Sequence, residues 1–401
     1  MVIEPKIKGF ICITAHPKGC EKNILNNIEY LSKRKKLDLP ETKNILVIGA
    51  SSGYGLASAM TASFSAGANT LCVAFEKNAQ KERGRTATAG MYNLAGYQKE
   101  ADKNDLYLKT VIGDAFADET KEKVCEIIKN GLKKIDMVIY SIAAPSRTDP
   151  KTGSKYSSVL KPVNGEYRSK GINPSNFELT EMSIPPANEY EINSTIEVMG
   201  GYDLELWVDI LSKNELLSEN AFVISYSYIG PQITHEIYKN GTVGAAKQHL
   251  KNTSDKLNGS YKIRSYISIN KAVVTQSSSA IPVLPLYISI LFKVMKEKDL
   301  HENCIEQAYR LFEKLQENKN FTDDNGFIRL DDLEMRDDVQ REVKKRWDSI
   351  TNENLYILAD PDGYKKDFLN LFGFGLDGVD YLEDTKIEID ENELGIINLT
   401  E

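Results

Sequence analysis

Short apolar runs alternate with helically spaced segments along most of this chain. Ile7 to Thr14 reads as a short strand, followed by a polar helix within the first 40 residues. Asn44-Ile-Leu-Val-Ile48 is β-branched, bounded by polar residues and Gly49, and predicts a buried parallel strand. A helix is expected from about Gly53 to Ala66, a second strand over Thr70 to Phe75, a third over Tyr107 to Ile112, a helix over Asp118 to Leu132 and a fourth strand over Ile135 to Ser141. Residues 145–190 break the rhythm with Pro, Gly, Ser and Asn. They predict a long excursion with little regular structure and at most a small hairpin. The rhythm resumes with a helix around Glu191–Ser212, a strand over Ala221 to Tyr228, a helix over Thr242–Leu257 and a strand over Arg264–Ile269. The remainder is mostly helical and charged, with a short element at Gly326–Leu330. Strands alternating with helices predict an α/β fold with a doubly wound parallel sheet.

Composition narrows the class. Hydrophobic residues make up 41% and charged residues 27%, which suits a folded core and not a disordered chain. The net charge of −8 argues against a nucleic-acid backbone as partner. Five cysteines without a CxxC pair fit a reducing compartment. The opening MVIEPKIKGF has no apolar h-region, and the longest apolar run, Ile281 to Phe292, is too short to span a bilayer. These features predict a cytoplasmic protein with no membrane insertion. The four histidines (His16, His235, His249, His301) form no HExxH and no zinc-ligand cluster, so no metal is expected. No GxSxG elbow is present.

The first strand runs directly into Gly49-Ala50-Ser51-Ser52-Gly53-Tyr54-Gly55. Glycines at a strand-to-helix turn let the backbone approach a pyrophosphate, and the helix N-terminus points N–H groups at it. That context makes the fold Rossmann-type, short-chain-dehydrogenase-like, with a nicotinamide dinucleotide as cofactor. The second strand ends at Phe75-Glu76. An acid there can accept from the adenosine ribose hydroxyls and repel a 2′-phosphate, which favours NADH; the alternative is a surface carboxylate, and Lys77 and Lys81 are close enough to soften the repulsion. Asp114-Ala115 and Ser141-Ile142-Ala143-Ala144 follow the third and fourth strands, where Asp114 could accept from the adenine amino group and small residues let a cofactor pass.

A proton donor is harder to place. No tyrosine has Lys four residues later. Tyr238/Lys247, Tyr287/Lys296 and Tyr356/Lys365 share a nine-residue separation, so spacing leaves three pairs open. The Tyr238 pair follows an expected core strand, with Gly241 and Gly244 between its members. A lysine there can lower the phenol pKa and hold the nicotinamide ribose.

Ser225-Tyr-Ser-Tyr-Ile-Gly230 and Tyr238-x8-Lys247 enclosing GTVG resemble the trans-2-enoyl-CoA reductase family, which includes the V-type enoyl-[acyl-carrier-protein] reductases. AHPKGC (15–20), GASSGYG (49–55), FEK (75–77), GDAF (113–116), YSIAAP (140–145), VMGG (198–201), NKAVVT (270–275), PLYISILFKVMKEK (285–298) and DGYKKDF (362–368) carry the resemblance through nearly the whole chain. Met91 departs from it, standing where the family commonly has Trp.

The resemblance implies NADH-dependent reduction of the C2=C3 double bond of trans-2-enoyl thioesters, carried on CoA or acyl carrier protein, in fatty acid synthesis or fermentation. It implies Tyr238 as proton donor, Lys247 as cofactor ligand and tuner of that tyrosine, and Tyr228 at the thioester carbonyl. By the same mapping Gly49 to Tyr54, Phe75, Glu76, Asp114, Ala115, Ile142, Ala143, Val273, Val274 and Thr275 line the NADH site, and the protein is a monomer. Leu284, Ile288 and Phe292 share one helical face. That face is either a core stripe or, as the resemblance implies, the acyl-pocket wall. Two other functions remain: a short-chain carbonyl or alcohol dehydrogenase, and a non-catalytic NAD(H)-binding sensor. One domain with additions is expected: an extension (1–40), an NADH-binding half (41–144), the excursion (145–190), a catalytic half (191–275) and an acyl-pocket helix with the C-terminal region (276–401).

Overall fold

The computed structural model describes residues 1–9, 11–173, 177–317 and 321–400. Ile7 to Thr14 is a small hairpin and not a single strand: β1 (Ile7–Lys8) pairs antiparallel with β2 (Ile11–Cys12). Gly9, with φ near +62°, allows the reversal. α1 (Pro17–Ser32) starts with proline in its first turn and His16 as its N-cap. β3 (Asn44–Ile48), α2 (Gly53–Phe64), β4 (Asn69–Ala74), α3 (Ala89–Lys103), β5 (Leu108–Ile112), α4 (Asp118–Ile127) and β6 (Ile135–Tyr140) complete the first half. The sequence reading has no counterpart to α3.

The excursion is more regular than expected. It holds two antiparallel hairpins, β7 (Ser146–Thr148) with β8 (Lys155–Ser157), and β9 (Tyr167–Ile172) with β10 (Leu179–Ile184). Residues 174–176, within the same expected segment, lie outside the described residues. The helix expected over Glu191–Ser212 is two helices, α5 (Glu189–Met199) and α6 (Tyr202–Lys213). They break at Gly200-Gly201, where a Cβ on Gly201 would meet Thr253 Oγ1 at 2.1 Å. β11 (Leu217–Ser227), α7 (Gln232–His235), α8 (Thr242–Ser260), β12 (Ile263–Ile269), α9 (Gln276–Ser279) and α10 (Leu284–Glu297) follow. The C-terminal part contributes α11 (Cys304–Glu317), β13 (Phe327–Arg329), α12 (Asp337–Ser349), α13 (Leu355–Leu358), α14 (Pro361–Asn370) and β14 (Ile397–Asn398).

Eight strands form one parallel sheet in the order β13-β12-β11-β6-β3-β4-β5-β14. Strand residues alternate between its two faces. Ile45 and Val47 enter one apolar cluster, Leu46 and Ile48 the other, and all four are fully buried. A strand covered on both faces is apolar along most of its length, as β3 is, which is the pattern of a Rossmann-type sheet. The strand order reverses between β3 and β6. A crevice opens there at the carboxyl ends of the strands, where ligands bind in such sheets.

The termini close on each other. The His16 N–H donates to Phe372 O at 2.9 Å, and a Cβ on Gly19 would fall 1.6 Å from Gly373 O. β14 brings the C-terminal segment back to the sheet beside β5. Among the described residues, all five cysteines are free thiols and no helix is long and apolar enough to cross a membrane.

Candidate active site

The crevice holds a cavity of about 630 Å³. Its floor begins at the β3–α2 turn. Gly49 has φ near +88°, and a Cβ on it would stand 2.2 Å from Ser141 O; a Cβ on Gly55 would stand 1.9 Å from Gly49 O. The turn therefore requires glycine at both positions, the close packing that a dinucleotide loop needs. Ser52, the N-cap of α2, makes no side-chain capping bond, which leaves the first-turn N–H groups for an anion. Asn93 Nδ2 donates to Ser51 O at 3.0 Å and fixes the loop from α3. These residues fit a pyrophosphate.

Phe75, Glu76, Asp114, Ala115, Ile142 and Ala143 line the same cavity, as do Gly49, Ser51, Ser52, Gly53, Tyr54, Val273 and Thr275. Two other residues named in the sequence reading do not. Ala50 is fully buried beneath the turn, and Val274 faces a smaller cavity of about 160 Å³. Glu76 sits beside Ser51 and Thr88; burial raises its carboxyl pKa, and the two neighbouring hydroxyls offset part of that rise. A Cβ on Gly90 would collide with its Oε1 at 2.1 Å. Thr88 and Gly90 belong to the start of α3 and were not singled out by sequence. Lys81 is paired with Glu388 at 2.6 Å, so that cation is already taken by another carboxylate.

The Asp114 loop is braced from below. The fully buried Lys121 Nζ donates to the carbonyls of Ala115 (2.9 Å) and Phe116 (2.8 Å) and pairs with buried Asp203 at 2.9 Å. Trp207 Nε1 donates to the same Ala115 carbonyl at 3.1 Å. Asp114 Oδ1 accepts from the Phe116 N–H, which fixes the loop's shape.

At the other end stand Tyr228, Tyr238 and Lys247, all on the cavity wall. The two tyrosine rings meet edge to face, 5.1 Å between centroids. Among the described residues the Tyr238 hydroxyl has no hydrogen-bond partner, and burial raises its phenol well above the usual range. Lys247 Nζ donates to Tyr226 O at 2.9 Å, with no bond to Tyr238, and desolvation lowers it to about 8. Gly244 is needed between them: a Cβ would stand 1.8 Å from Lys239 O. Tyr228 donates to Glu334 Oε1 at 3.0 Å.

Of the expected acyl stripe, Leu284 lines the cavity and Ile288 and Phe292 do not. The cavity touches only the first turn of α10. Phe292 is packed against His301 at 4.3 Å, with Lys271 Nζ 4.8 Å and Lys296 Nζ 5.4 Å from its centroid. Ile281 takes part in the wall, and so do Asn270 and Lys271, which sequence reasoning passed over. NKAVVT was the available signal, because two polar residues at the end of a core strand rarely serve packing.

A crevice with a phosphate cradle at one end and an unpaired phenol at the other defines a nicotinamide-dependent reductase on a Rossmann-type sheet. Comparison with known proteins makes the assignment specific. Residues 2–81 match the profile of the NAD(P)H binding domain of trans-2-enoyl-CoA reductase, and residues 85–316 match its catalytic region. The chain is 47% identical over 393 residues to a trans-2-enoyl-CoA reductase [NADH] from Ruminiclostridium cellulolyticum, covering 97% of this chain and 98% of that one. It is 48% identical over 390 residues to an enoyl-[acyl-carrier-protein] reductase [NADH] from Cytophaga hutchinsonii, covering 96% and 97%. The crystal structure of Treponema denticola trans-2-enoyl-CoA reductase in complex with NAD superposes with a TM-score of 0.91 at 43% identity, over 96% of this chain and 98% of that one. The chain belongs to the trans-2-enoyl-CoA reductase family.

Residues 322–385 match a third profile, described as an enoyl reductase FAD binding domain. The described residues there do not fit a flavin dinucleotide. None of them lines the 630 Å³ cavity, and the 160 Å³ cavity that Asp367, Asn370 and Leu371 reach is too small for one. The segment's strand, β13, does not turn through glycines into a helix in the manner of β3 and α2.

Proposed function

We infer that this chain catalyses the NADH-dependent reduction of the C2=C3 double bond of trans-2-enoyl thioesters to saturated acyl thioesters. NADH, when bound, supplies the hydride. As the double bond of a conjugated thioester accepts it, negative charge grows on the carbonyl oxygen. A hydroxyl placed at that oxygen stabilises the transition state more than the ground state. Tyr238 is the group we assign to this role, and its unpaired hydroxyl on the wall of the dinucleotide crevice carries the reading. Lys247 offers a cation on the same wall to the cofactor. Gly49, Ser51, Ser52, Gly53 and Tyr54 seat the pyrophosphate end, with Phe75, Asp114 and Ala115 on the adenine side and Ile142, Ala143, Val273 and Thr275 along the rest. Glu76, on the cavity wall beside Ser51 and Thr88, favours ribose hydroxyls over a 2′-phosphate.

The apolar acyl wall begins at Ile281 and Leu284. The reading extends to a cytoplasmic monomer that acts on CoA or acyl-carrier-protein thioesters and binds neither metal nor nucleic acid. The net charge of −8 supports the last point.

Replacing Tyr238 by Phe tests the assignment. NADH affinity, read by fluorescence, should stay within about twofold, while turnover with crotonyl-CoA should drop by roughly 10² or more, the usual contribution of a positioned acid. Full turnover in that variant would assign the donor elsewhere, with Tyr228 next in line.

A further inference from the structure

Two tyrosines face the reacting end of the crevice, and either could meet a thioester carbonyl. Their hydroxyls are not equivalent. Among the described residues Tyr238 has no partner for its hydrogen, whereas Tyr228 gives its hydrogen to Glu334 Oε1 at 3.0 Å. Glu334 is fully buried. The same Oε1 accepts from Tyr287 at 2.6 Å, and Oε2 accepts the Ala272 N–H at 2.7 Å. Gln340 braces the group, with Nε2 donating to Tyr287 Oη at 3.2 Å and to Glu334 O at 2.7 Å. The nearby cation is buried Lys271, whose Nζ donates to Ala272 O at 2.8 Å.

A phenol carries one hydrogen. While Glu334 accepts it, Tyr228 can offer the cavity only lone pairs. We propose that Glu334 is a positioning residue: it commits the Tyr228 hydrogen away from substrate, fixes the Tyr228 ring against Tyr238 and leaves Tyr238 as the sole donor to the thioester oxygen. Glu334 does not line the cavity and acts through Tyr228. Burial and the Glu334 charge both raise the Tyr228 pKa, so its hydrogen is also hard to lose.

The consequence is that replacing one heavy atom, a carboxylate oxygen of Glu334 by nitrogen, makes Tyr228 available as a donor. The Ala272 N–H requires an oxygen opposite it. In Glu334→Gln that oxygen is Oε1, which turns Nε2 toward the two tyrosine oxygens. A donor facing Tyr228 frees its hydrogen for another acceptor, either Thr234 Oγ1 or a substrate oxygen in the cavity. Tyr228 then becomes competent to donate.

The test is kinetic, with crotonyl-CoA and NADH. Tyr238→Phe alone should be slow, and adding Glu334→Gln should raise kcat by ~10-fold, part of what a positioned acid contributes. NADH affinity should not change. Adding Tyr228→Phe to that pair should erase the gain. A double variant that binds NADH and is no faster than Tyr238→Phe overturns the proposal, and so does a gain that survives the loss of Tyr228. If Glu334→Gln does not fold, Tyr238→Phe with Tyr287→Phe serves instead. Glu334 then still accepts from Tyr228, so no gain is expected, and a gain overturns the proposal. The inference rests on the reductase reading. Failure of the unmodified protein to oxidise NADH with crotonyl-CoA strikes that reading, whereas an active protein without rescue strikes only the role of Glu334.

Discussion

Two lysines of the crevice are held near a pKa of about 8 by desolvation, and their surroundings separate their roles. Lys271 is fully buried and has Glu334 as a buried counter-charge. Among the described residues Lys247 has a carbonyl partner and no carboxylate, so its charge is available to a bound anion. An ammonium lowered from its ordinary value is charged below about pH 8 and neutral above it. NADH affinity should therefore weaken as pH rises from about 7 to 9, by an amount that reflects the lost cation. Fluorescence titrations should show this step, and Lys247→Met should flatten it. A step that persists in Lys247→Met would assign it to Lys271. The chemistry of the cofactor end was legible because the glycines and the acid each follow directly on a strand that the sequence already announces. Glu334 was not legible: it lies 106 residues from Tyr228, and no spacing rule connects them.

At the scale of elements, β-branched runs announced the strands because a sheet buried on both faces favours apolar residues at successive positions. α3 escaped notice for the opposite reason. It is buried nearly all round, and Asn93, Gln98 and Glu100 are among its buried residues, so no apolar stripe marks it. The hairpins of 145–190 escaped because each strand pairs only with its own neighbour, and their residues are largely exposed or half-exposed. α10 shows how far periodicity reaches. It placed Leu284, Ile288 and Phe292 on one face, but could not say where the cavity stops. Leu284→Ala should widen the pocket and raise the ratio of trans-2-dodecenoyl-CoA to crotonyl-CoA turnover. Ile288→Ala should leave that ratio unchanged and cost about 2–4 kcal/mol of stability through the cavity it creates in the core. Comparing the two ratios and the melting curves decides the matter. An equal shift from Ile288→Ala would extend the acyl path deeper along α10.

Across the whole molecule, AHPKGC has a use that its residues alone could not disclose. His16 Nδ1 accepts from the Gly19 N–H at 3.2 Å and caps α1, while its ring packs against Phe374 and Tyr381. Gly19 lets Gly373 approach. The motif therefore joins the N-terminal helix to a segment more than 350 residues later, a contact made only in the folded chain. Sheet, crevice and closure together serve one reaction, and the most direct test of that claim is NADH oxidation followed at 340 nm with crotonyl-CoA and trans-2-dodecenoyl-CoA, repeated with NADPH. Rapid oxidation of NADH with either thioester, and little of NADPH, is the result expected from the Tyr238 donor and the Glu76 carboxylate. Absence of oxidation with both thioesters, and with their acyl-carrier-protein counterparts, would contradict the assignment of enoyl-thioester reduction.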